Sequence, residues 1–180
     1  WYVFYHRLTH KSDYSRQACA EPITILPDGS IPQVEITSCG LNGKPLHGTG
    51  TYPAVIACNI TNGHMPHGSN KIYTDSFPNA THCGEDRFIG EIQDGTMLGY
   101  KYFAFSGAKE VGVQYRGSCN GKFVVSDDMD GKNIVAEIPV APADAWTETR
   151  ASLHISDGTH PLYLFYRGDG EAAVKELYLA

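Results

Sequence analysis

The sequence predicts an all-β protein, a jelly-roll-like β-sandwich preceded by a small antiparallel β-meander. Aromatic and β-branched residues dominate Met97–Phe105 and Glu110–Arg116, and Gly and Asp sit at the edges of these runs. In the second run Val111, Val113 and Tyr115 alternate with small or polar residues, which is the period of a half-buried strand. No segment shows helical periodicity over about eleven residues. Together these observations favour a sandwich of antiparallel strands.

The same pattern recurs through the second part of the chain at roughly even spacing, as in sandwiches and barrels. Further strands are predicted over Lys122–Ser126, Ile134–Val140, Ala151–Ile155, Pro161–Tyr166 and Ala173–Leu179. The apolar run Tyr52–Ile60 is the predicted first strand of this unit. The Asn-, Gly-, His- and Pro-rich stretch Thr61–Cys83 is predicted to be a long surface loop around a short strand at Lys71–Thr74.

The first part of the chain predicts the meander. Its three strands are expected over Trp1–Arg7, Ala18–Leu26 and Ile31–Thr37. A polar loop at Leu8–Arg16 and a turn at Pro27–Ser30 separate them. The Gly-rich stretch Cys39–Thr51 is the predicted linker, so two units are expected, residues 1–45 and residues 46–180.

The start of the chain carries an expectation of its own. The chain begins without Met, directly on the apolar strand Trp1–Tyr5, and a small meander alone is marginally stable. We therefore expect the chain to begin inside a larger protein. The apolar residues of segment 1–40 are expected to pack on the sandwich or to pair with a second copy of the chain.

Composition argues against several classes of function. The net charge is -6 and the pI about 5.7, without a Lys/Arg cluster, so no nucleic-acid partner is expected. No apolar run approaches the roughly 18–20 residues of a transmembrane helix, so no membrane partner is expected. The five cysteines include no C-x-x-C pair, which gives a zinc site little support. They are expected to be small buried residues, with a Cys83–Cys119 disulfide as the open alternative.

Three motifs in residues 1–40 resemble the end of the catalytic domain of glycoside hydrolase family 43. They are Phe-Tyr-His-Arg at 4–7, Ser-Arg-Gln-Ala-Cys-Ala-Glu-Pro-Ile at 15–23 and Asp-Gly-Ser-Ile-Pro-Gln-Val-Glu-Ile-Thr at 28–37. That family has a five-bladed β-propeller and includes α-L-arabinofuranosidases, β-xylosidases and arabinanases that act on plant cell-wall polysaccharides. The resemblance implies that the meander is a propeller remnant, in which His6 matches a histidine that points toward the propeller centre.

From about residue 52 to residue 180, the chain resembles the β-sandwich of carbohydrate-binding module family 6, most clearly at Asp94–Tyr102 and Trp146–Tyr178. Together the two resemblances imply a non-catalytic accessory domain of a secreted, extracellular hemicellulose-degrading enzyme. It would bind xylan or arabinoxylan and contact the missing propeller. Two alternatives stay open: a structural domain without a ligand, or a fragment of an α-L-arabinofuranosidase or β-xylosidase that lacks the activity of the whole enzyme.

Catalysis by this chain is not expected. The carboxylates that carry the reaction in family 43 lie upstream of the matched stretch and have no counterparts here. Glycoside hydrolysis usually needs two carboxyl groups across the scissile bond, and nothing in the sequence pairs Glu21, Glu35 or Glu91 in that way.

Sugar binding needs a flat aromatic plate and convergent polar groups. Trp146, in the predicted polar loop Ala141–Glu148, matches an aromatic plate of the family 6 module, with capping of the core edge as the alternative role. In the same match Glu91 takes the place of the other aromatic residue, and Ala173 that of a sugar-binding Asn. Tyr100 is a further plate candidate, with core packing as the alternative. Two turn carboxylates could accept hydrogen bonds from sugar hydroxyls or simply be solvated, Asp169 and Glu171.

Metal binding has only weak candidates. Asp127, Asp128 and Asp130 resemble part of an oxygen-ligand loop, but a hairpin turn with surface carboxylates explains them as well. The histidines of one predicted loop are His64, His67 and His82. The structural calcium of family 6 modules uses acidic residues of the first and last strands, and here only Lys175-Glu176 of the last strand supplies one. No cofactor is therefore expected, with a structural calcium ion as the open alternative.

Overall fold

The structure is a computed structural model that describes residues 1–64 and 73–180, and within these residues it confirms the all-β prediction. The described residues form fourteen strands and two short 3-10 helices, Gly40–Asn42 and Ala54–Ile56. The strands are β1 (Tyr2–Thr9), β2 (Ser12–Pro22), β3 (Leu46–His47), β4 (Gly50–Pro53), β5 (Asn59–Thr61), β6 (Asn79–Cys83), β7 (Asp86–Ile92), β8 (Met97–Phe105), β9 (Glu110–Gly117), β10 (Asn120–Ser126), β11 (Ile134–Val140), β12 (Ala143–Ser152), β13 (Gly158–Asp169) and β14 (Ala172–Leu179). None of the described helices is long and apolar enough to cross a membrane.

Two six-stranded sheets pack into a sandwich. One has the order β11-β10-β13-β8-β3, with β5 also paired to β8, and the other has the order β12-β9-β14-β7-β6, with β4 also paired to β14. Inward-facing side chains of both sheets form one core. Its largest fully buried side chains include Tyr100, Tyr166, Phe103, Phe123, Leu162 and Leu177. Burial of large apolar side chains of this kind is the main stabilising term of such a fold.

The alternation predicted around β9 is confirmed. Val111, Val113 and Tyr115 are buried in the core, and Arg116 lies half-buried on the outer face of the sheet. The runs predicted for β8, β10, β11, β13 and β14 are also strands, with ends that differ by a few residues.

The predictions around β12 are wrong. The strand covers Ala143–Ser152, so most of the loop predicted at Ala141–Glu148 is strand, and the strand predicted at Ala151–Ile155 ends early. β12 is the edge strand of its sheet, and most of its side chains are partly or fully exposed. An edge strand of this kind needs few apolar residues, which is why its sequence looks like a loop.

The N-terminal unit is a hairpin, not a three-stranded meander. β1 and β2 pair through the segment predicted as the loop Leu8–Arg16, because exposed hairpin strands tolerate polar side chains. The two-residue turn His10-Lys11 has φ of 55° and 49°, the left-handed pair that a type I′ hairpin turn requires. Ile31–Thr37 alternates as a strand would, but it pairs with no strand among the described residues.

The predicted linker and the first strand after it are built differently. Cys39–Thr51 contains β3, which pairs in parallel with β8 and so belongs to the sandwich. Tyr52–Ile60 divides into β4, a 3-10 helix and β5. Thr61–Cys83 ends in β6, and the first half of the strand predicted at Lys71–Thr74 lies outside the described residues. All five cysteines are free thiols, so the alternative of a Cys83–Cys119 disulfide is not realised.

The hairpin is fixed to the sandwich. The Arg7 guanidinium on β1 donates to the backbone carbonyls of Val55 and Ala57 and to Gln17 Oε1 at 2.9–3.0 Å. At the start of the hairpin, Trp1 and Phe4 are 85% and 68% exposed. The expected packing on the sandwich therefore exists, but it leaves these two rings largely exposed.

Candidate functional site

The site candidate is a groove of about 680 Å³ on the outer face of the sheet that contains β9, β14 and β7. Two walls come from the sandwich, the ends of β9 and β14 on one side and β6 with β7 on the other. A third comes from the hairpin, whose turn residues His10 and Lys11 line the same groove. The polar and aromatic side chains that line it include Lys11, Asn79, Phe88, Glu91, Arg116 and Glu171.

Trp146 lies beside this groove, on β12. Its indole Nε1 donates to Asp86 Oδ2 at 2.8 Å, and the same carboxylate accepts from Lys175 Nζ at 2.6 Å. Both hydrogen bonds lower the pKa of Asp86, and the one from Lys175 has the larger effect. The half-buried Trp146 ring is therefore held in place by an ionised carboxylate, and it is not part of the core.

A second aromatic ring, Phe88, packs against Trp146 from β7. The ring centroids are 5.5 Å apart and the planes are inclined by 62°, an edge-to-face contact. The Arg116 guanidinium lies over both rings, 4.4 Å from the Trp146 centroid and 5.2 Å from the Phe88 centroid. These three side chains form an aromatic-cation cluster at the edge of the groove.

Glu91 does not act as a plate, since it is a charged residue and is held by the hairpin. Its carboxylate pairs with Lys11 Nζ at 2.8 Å and lies 3.5 Å from the amide nitrogen of Asn79. Lys11 is itself fixed, because its Nζ also donates to the carbonyl of Asp75. Glu91 has a backbone φ of 56°, so it interrupts the regular alternation of β7. The position matched to an aromatic residue thus carries an ion pair.

The two predicted turn carboxylates differ in position. Glu171 lines the groove, and its Oε2 accepts one long hydrogen bond of 3.5 Å from Gln93. Asp169, at the end of β13, is exposed and does not line the groove. The structure thus brings Glu171 and Glu91 to one groove and leaves Asp169 outside it.

The prediction of Tyr100 as a plate is wrong. Its side chain is fully buried between the sheets, and its hydroxyl donates to the carbonyl of Ala54 at 3.2 Å. Burial raises the pKa of this phenol. The ring is core, as the strand alternation allowed.

The acidic run near residue 128 is a turn that its own carboxylates close. Asp128 accepts hydrogen bonds from the backbone N–H groups of Lys132 and Asn133, which lower its pKa, the Asn133 bond first. Asp130 pairs with Lys132, and Asp127 accepts from the Asn133 side chain. Among the described residues, no three His, Cys, Asp or Glu side chains are placed to hold a metal ion.

The histidines of the predicted loop do not gather either. His82 contacts His10 of the hairpin. His64 is exposed at the end of the described segment 1–64, and His67 lies outside the described residues. His6, matched to a propeller histidine, is exposed on β1.

The key groove residues Phe88, Arg116 and Lys11 are absent from the sequence-based candidates. They lie on three elements that are distant in the sequence, so no motif spacing connects them. The sequence signal for Phe88 is its place beside Ile89 in a short apolar run, which the structure shows to be part of β7. The position of Lys11 in the groove could not be predicted, because it depends on the hairpin turn that brings Lys11 to the sandwich.

Comparison with known proteins agrees with this architecture. No family model matches the chain. A xylosidase/arabinosidase from Thermoclostridium stercorarium is 44% identical over 192 aligned residues, which cover 99% of this chain. The chain spans only 39% of the length of that relative.

Solved structures show the same fold. A family 6 carbohydrate-binding module from Clostridium cellulolyticum in complex with xylose aligns with 74% of this chain and 98% of its own, with TM-score 0.62 and 15% identity. A module from Clostridium stercorarium in complex with cellobiose aligns with 77% and 98%, with TM-score 0.60 and 15% identity. A glycoside hydrolase family 43 arabinoxylan arabinofuranohydrolase from Bacillus subtilis aligns with 100% of this chain and 38% of its own, with TM-score 0.60 and 17% identity. These findings confirm the two resemblances drawn from the sequence.

Proposed function

We propose that this chain is a non-catalytic, carbohydrate-binding part of a secreted, hemicellulose-degrading glycoside hydrolase, and that its sandwich binds xylan or arabinoxylan. The observation that supports this is the groove on the β9–β14–β7 face. It holds two of the three positions that the resemblance assigns to sugar contacts, Glu91 and Ala173. The third, Trp146, flanks the groove in the aromatic-cation cluster with Phe88 and Arg116.

The expected affinity is modest. Burying roughly 100 Å² of a sugar ring on an aromatic face contributes about 2–3 kcal/mol, whereas a millimolar complex needs about 4 kcal/mol. Hydrogen bonds to the sugar hydroxyls must therefore supply the rest. The groove offers donors and acceptors for them in Arg116, Asn79 and Glu171.

The test is calorimetric titration with xylohexaose and with arabinoxylan fragments. We expect a Kd of about 10–1000 µM, weakened at least tenfold by Phe88→Ala or Trp146→Ala. Phe165→Ala is a matched control, because Phe165 is a half-buried ring on the other sheet. Equal loss in the control would point to damaged folding, and silence of the wild-type chain for every oligosaccharide would reject the proposal.

A second candidate is a structural domain that packs on the rest of a larger enzyme. Exposed aromatic rings at one end of the hairpin, Trp1 and Phe4, favour it, since apolar surface of this kind is usually covered by a partner. The partner would be the missing family 43 propeller. In a chain extended toward the N-terminus, Trp1→Ser with Phe4→Ser is then expected to lower the melting temperature, and no change would argue against this role.

Catalysis by the chain itself is not proposed. Glu21 is 2% exposed and accepts hydrogen bonds from Thr37 and Tyr5. Glu35 pairs with Lys101 at 2.9 Å, a contact that lowers its pKa. In the described part of the chain, neither Glu21 nor Glu35 has a second carboxyl group among its hydrogen-bond or ion-pair partners, whereas hydrolysis usually requires two carboxyl groups. Release of nitrophenol from aryl arabinosides or xylosides by the pure chain would contradict this assignment.

A further inference from the structure

Arg116 has an unusual environment for a half-buried arginine. Its guanidinium lies over the Trp146 and Phe88 rings and lines the groove. Within residues 1–64 and 73–180, no oxygen accepts a hydrogen bond from it. An arginine carries five N–H donors in a rigid planar fork, so this position presents oriented donors that the fold does not use.

Other arginines of the chain show the contrast. The Arg7 guanidinium is used by the fold, with Gln17 and the carbonyls of Val55 and Ala57 as acceptors. Arg150 also lies over an aromatic ring, that of Tyr178, but its donors reach Glu148 and Glu110. The fold accounts for the stacking of Arg116 and for its electrostatic attraction to the Asp86 carboxylate, and its hydrogen-bonding capacity is left for a ligand.

The remaining groove charges indicate which ligand fits. Lys11 and Glu91 neutralise each other at 2.8 Å. Arg116 then shares the groove with two further carboxylates, Asp144 and Glu171. These carboxylates would repel an anionic ligand. A neutral polyol can accept hydrogen bonds from the guanidinium and donate to a carboxylate at the same time.

We propose that Arg116 contacts the ligand and sets its specificity: it donates paired hydrogen bonds to oxygens of a neutral sugar chain, with Glu171 accepting from hydroxyls across the groove. The Trp146 and Phe88 rings hold the guanidinium flat, which reduces the conformational entropy lost when the sugar binds. This assignment rests on the proposed carbohydrate binding. It excludes uronic-acid-substituted chains as the preferred ligand.

The experiment compares wild type, Arg116→Lys and Arg167→Lys by calorimetric titration with xylohexaose and with a glucuronic-acid-substituted xylooligosaccharide. Lysine keeps a cation over the rings but loses the planar fork. Arg167 is the matched control, because it lies 5.9 Å over the Phe165 ring outside the groove. We expect Arg116→Lys to weaken xylohexaose binding about tenfold, with an unchanged melting temperature, and Arg167→Lys to bind as wild type. The wild type should prefer the neutral ligand.

Each other outcome has a distinct meaning. Binding of xylohexaose by Arg116→Lys within twofold of wild type overturns the role of Arg116 but leaves carbohydrate binding intact. A wild-type preference for the acidic oligosaccharide overturns the assignment of a neutral ligand. Silence of the wild type for both ligands overturns the proposed function, and this inference with it.

Discussion

Lys11 at the tip of the hairpin and Glu91 on β7 form an ion pair across the two parts of the chain, with Nζ and Oε1 2.8 Å apart. The two side chains are only 21% and 25% exposed. The backbone supports the contact, because His10 N–H donates to the carbonyl of Ala80 on β6 at 2.9 Å. The hairpin tip is thereby docked on the edge of the sheet that carries the groove.

Breaking this ion pair is expected to destabilise the chain. Lys11→Met leaves the half-buried Glu91 carboxylate without its cation, at a cost of about 1–2 kcal/mol in the free energy of unfolding. Lys11→Met combined with Glu91→Gln should recover part of the loss, because the isolated charge is gone. Urea unfolding of the double-mutant cycle measures the coupling. A coupling energy indistinguishable from zero would show that the pair does not hold the hairpin.

Arg7 is expected to matter more for stability than any other hairpin charge. Arg7→Met removes hydrogen bonds to two carbonyls of the 54–57 segment and to Gln17. Because these partly buried acceptors then lack a donor, the free energy of unfolding should fall by about 2–3 kcal/mol. Arg16→Met is the control, since Arg16 is an exposed residue of the neighbouring strand. If both variants unfold at the same urea concentration, the anchoring role of Arg7 is wrong.

The hairpin contact should also depend on pH. His10 Nε2 and His82 Nδ1 lie 2.5 Å apart, so one nitrogen must donate and the other accept, and protonation of both rings removes the bond. Burial of His10 lowers its pKa most, and electrostatic repulsion from His82 lowers it further. Glu91 is the nearby carboxylate, bound to Lys11 of the same turn, and two further cations, Arg16 and Arg87, line the cavity that contains both imidazoles.

The sign of this dependence follows from the lowered pKa. Unfolded His10 titrates near pH 6.5, above the pKa of the folded state, so the unfolded state binds the proton more readily. The stabilisation is complete above about pH 6.5 and is lost as the pH falls through the folded-state pKa. His10→Gln should therefore lose less stability than wild type between about pH 7 and 5, while His154→Gln, an exposed control, should follow wild type. Identical pH profiles of wild type and His10→Gln would contradict the prediction.

Asp86 is expected to fix the orientation of Trp146. In Asp86→Asn the ion pair with Lys175 is lost and the acceptor for the indole N–H is weaker. Trp1 is the only other tryptophan, so in a Trp1→Phe background the emission reports Trp146 alone. We expect a red shift and lower fluorescence anisotropy for Asp86→Asn. Unchanged emission and anisotropy would show that Asp86 does not restrain the ring.

Several strands could be predicted because a strand with one buried face alternates apolar and polar residues in the sequence. β9, with Val111, Val113 and Tyr115 inside, is the clearest case. The segment Leu8–Arg16 of the hairpin and most of β12 could not, since their side chains are mostly polar and none of those on β12 is fully buried. Ile31–Thr37 shows the opposite error, because its sequence alternates as a strand does but it pairs with no strand among the described residues.

The site was predictable only in part. Trp146 and Glu171 were found because they follow a resemblance and a turn pattern. Arg116 and Lys11 were not, since their roles depend on tertiary contacts with Trp146 and with Glu91. Tyr100 was misplaced because the alternation of a strand does not say which face is inside.

The most direct test of the central claim is to locate the sugar on the molecule by amide chemical shifts in the presence of xylohexaose. We expect saturable shifts of Phe88, Gly90, Arg116 and Ser118, which line the groove. Shifts that appear instead at Val124 and Phe165 on the opposite sheet, or no shifts at millimolar sugar, would contradict it.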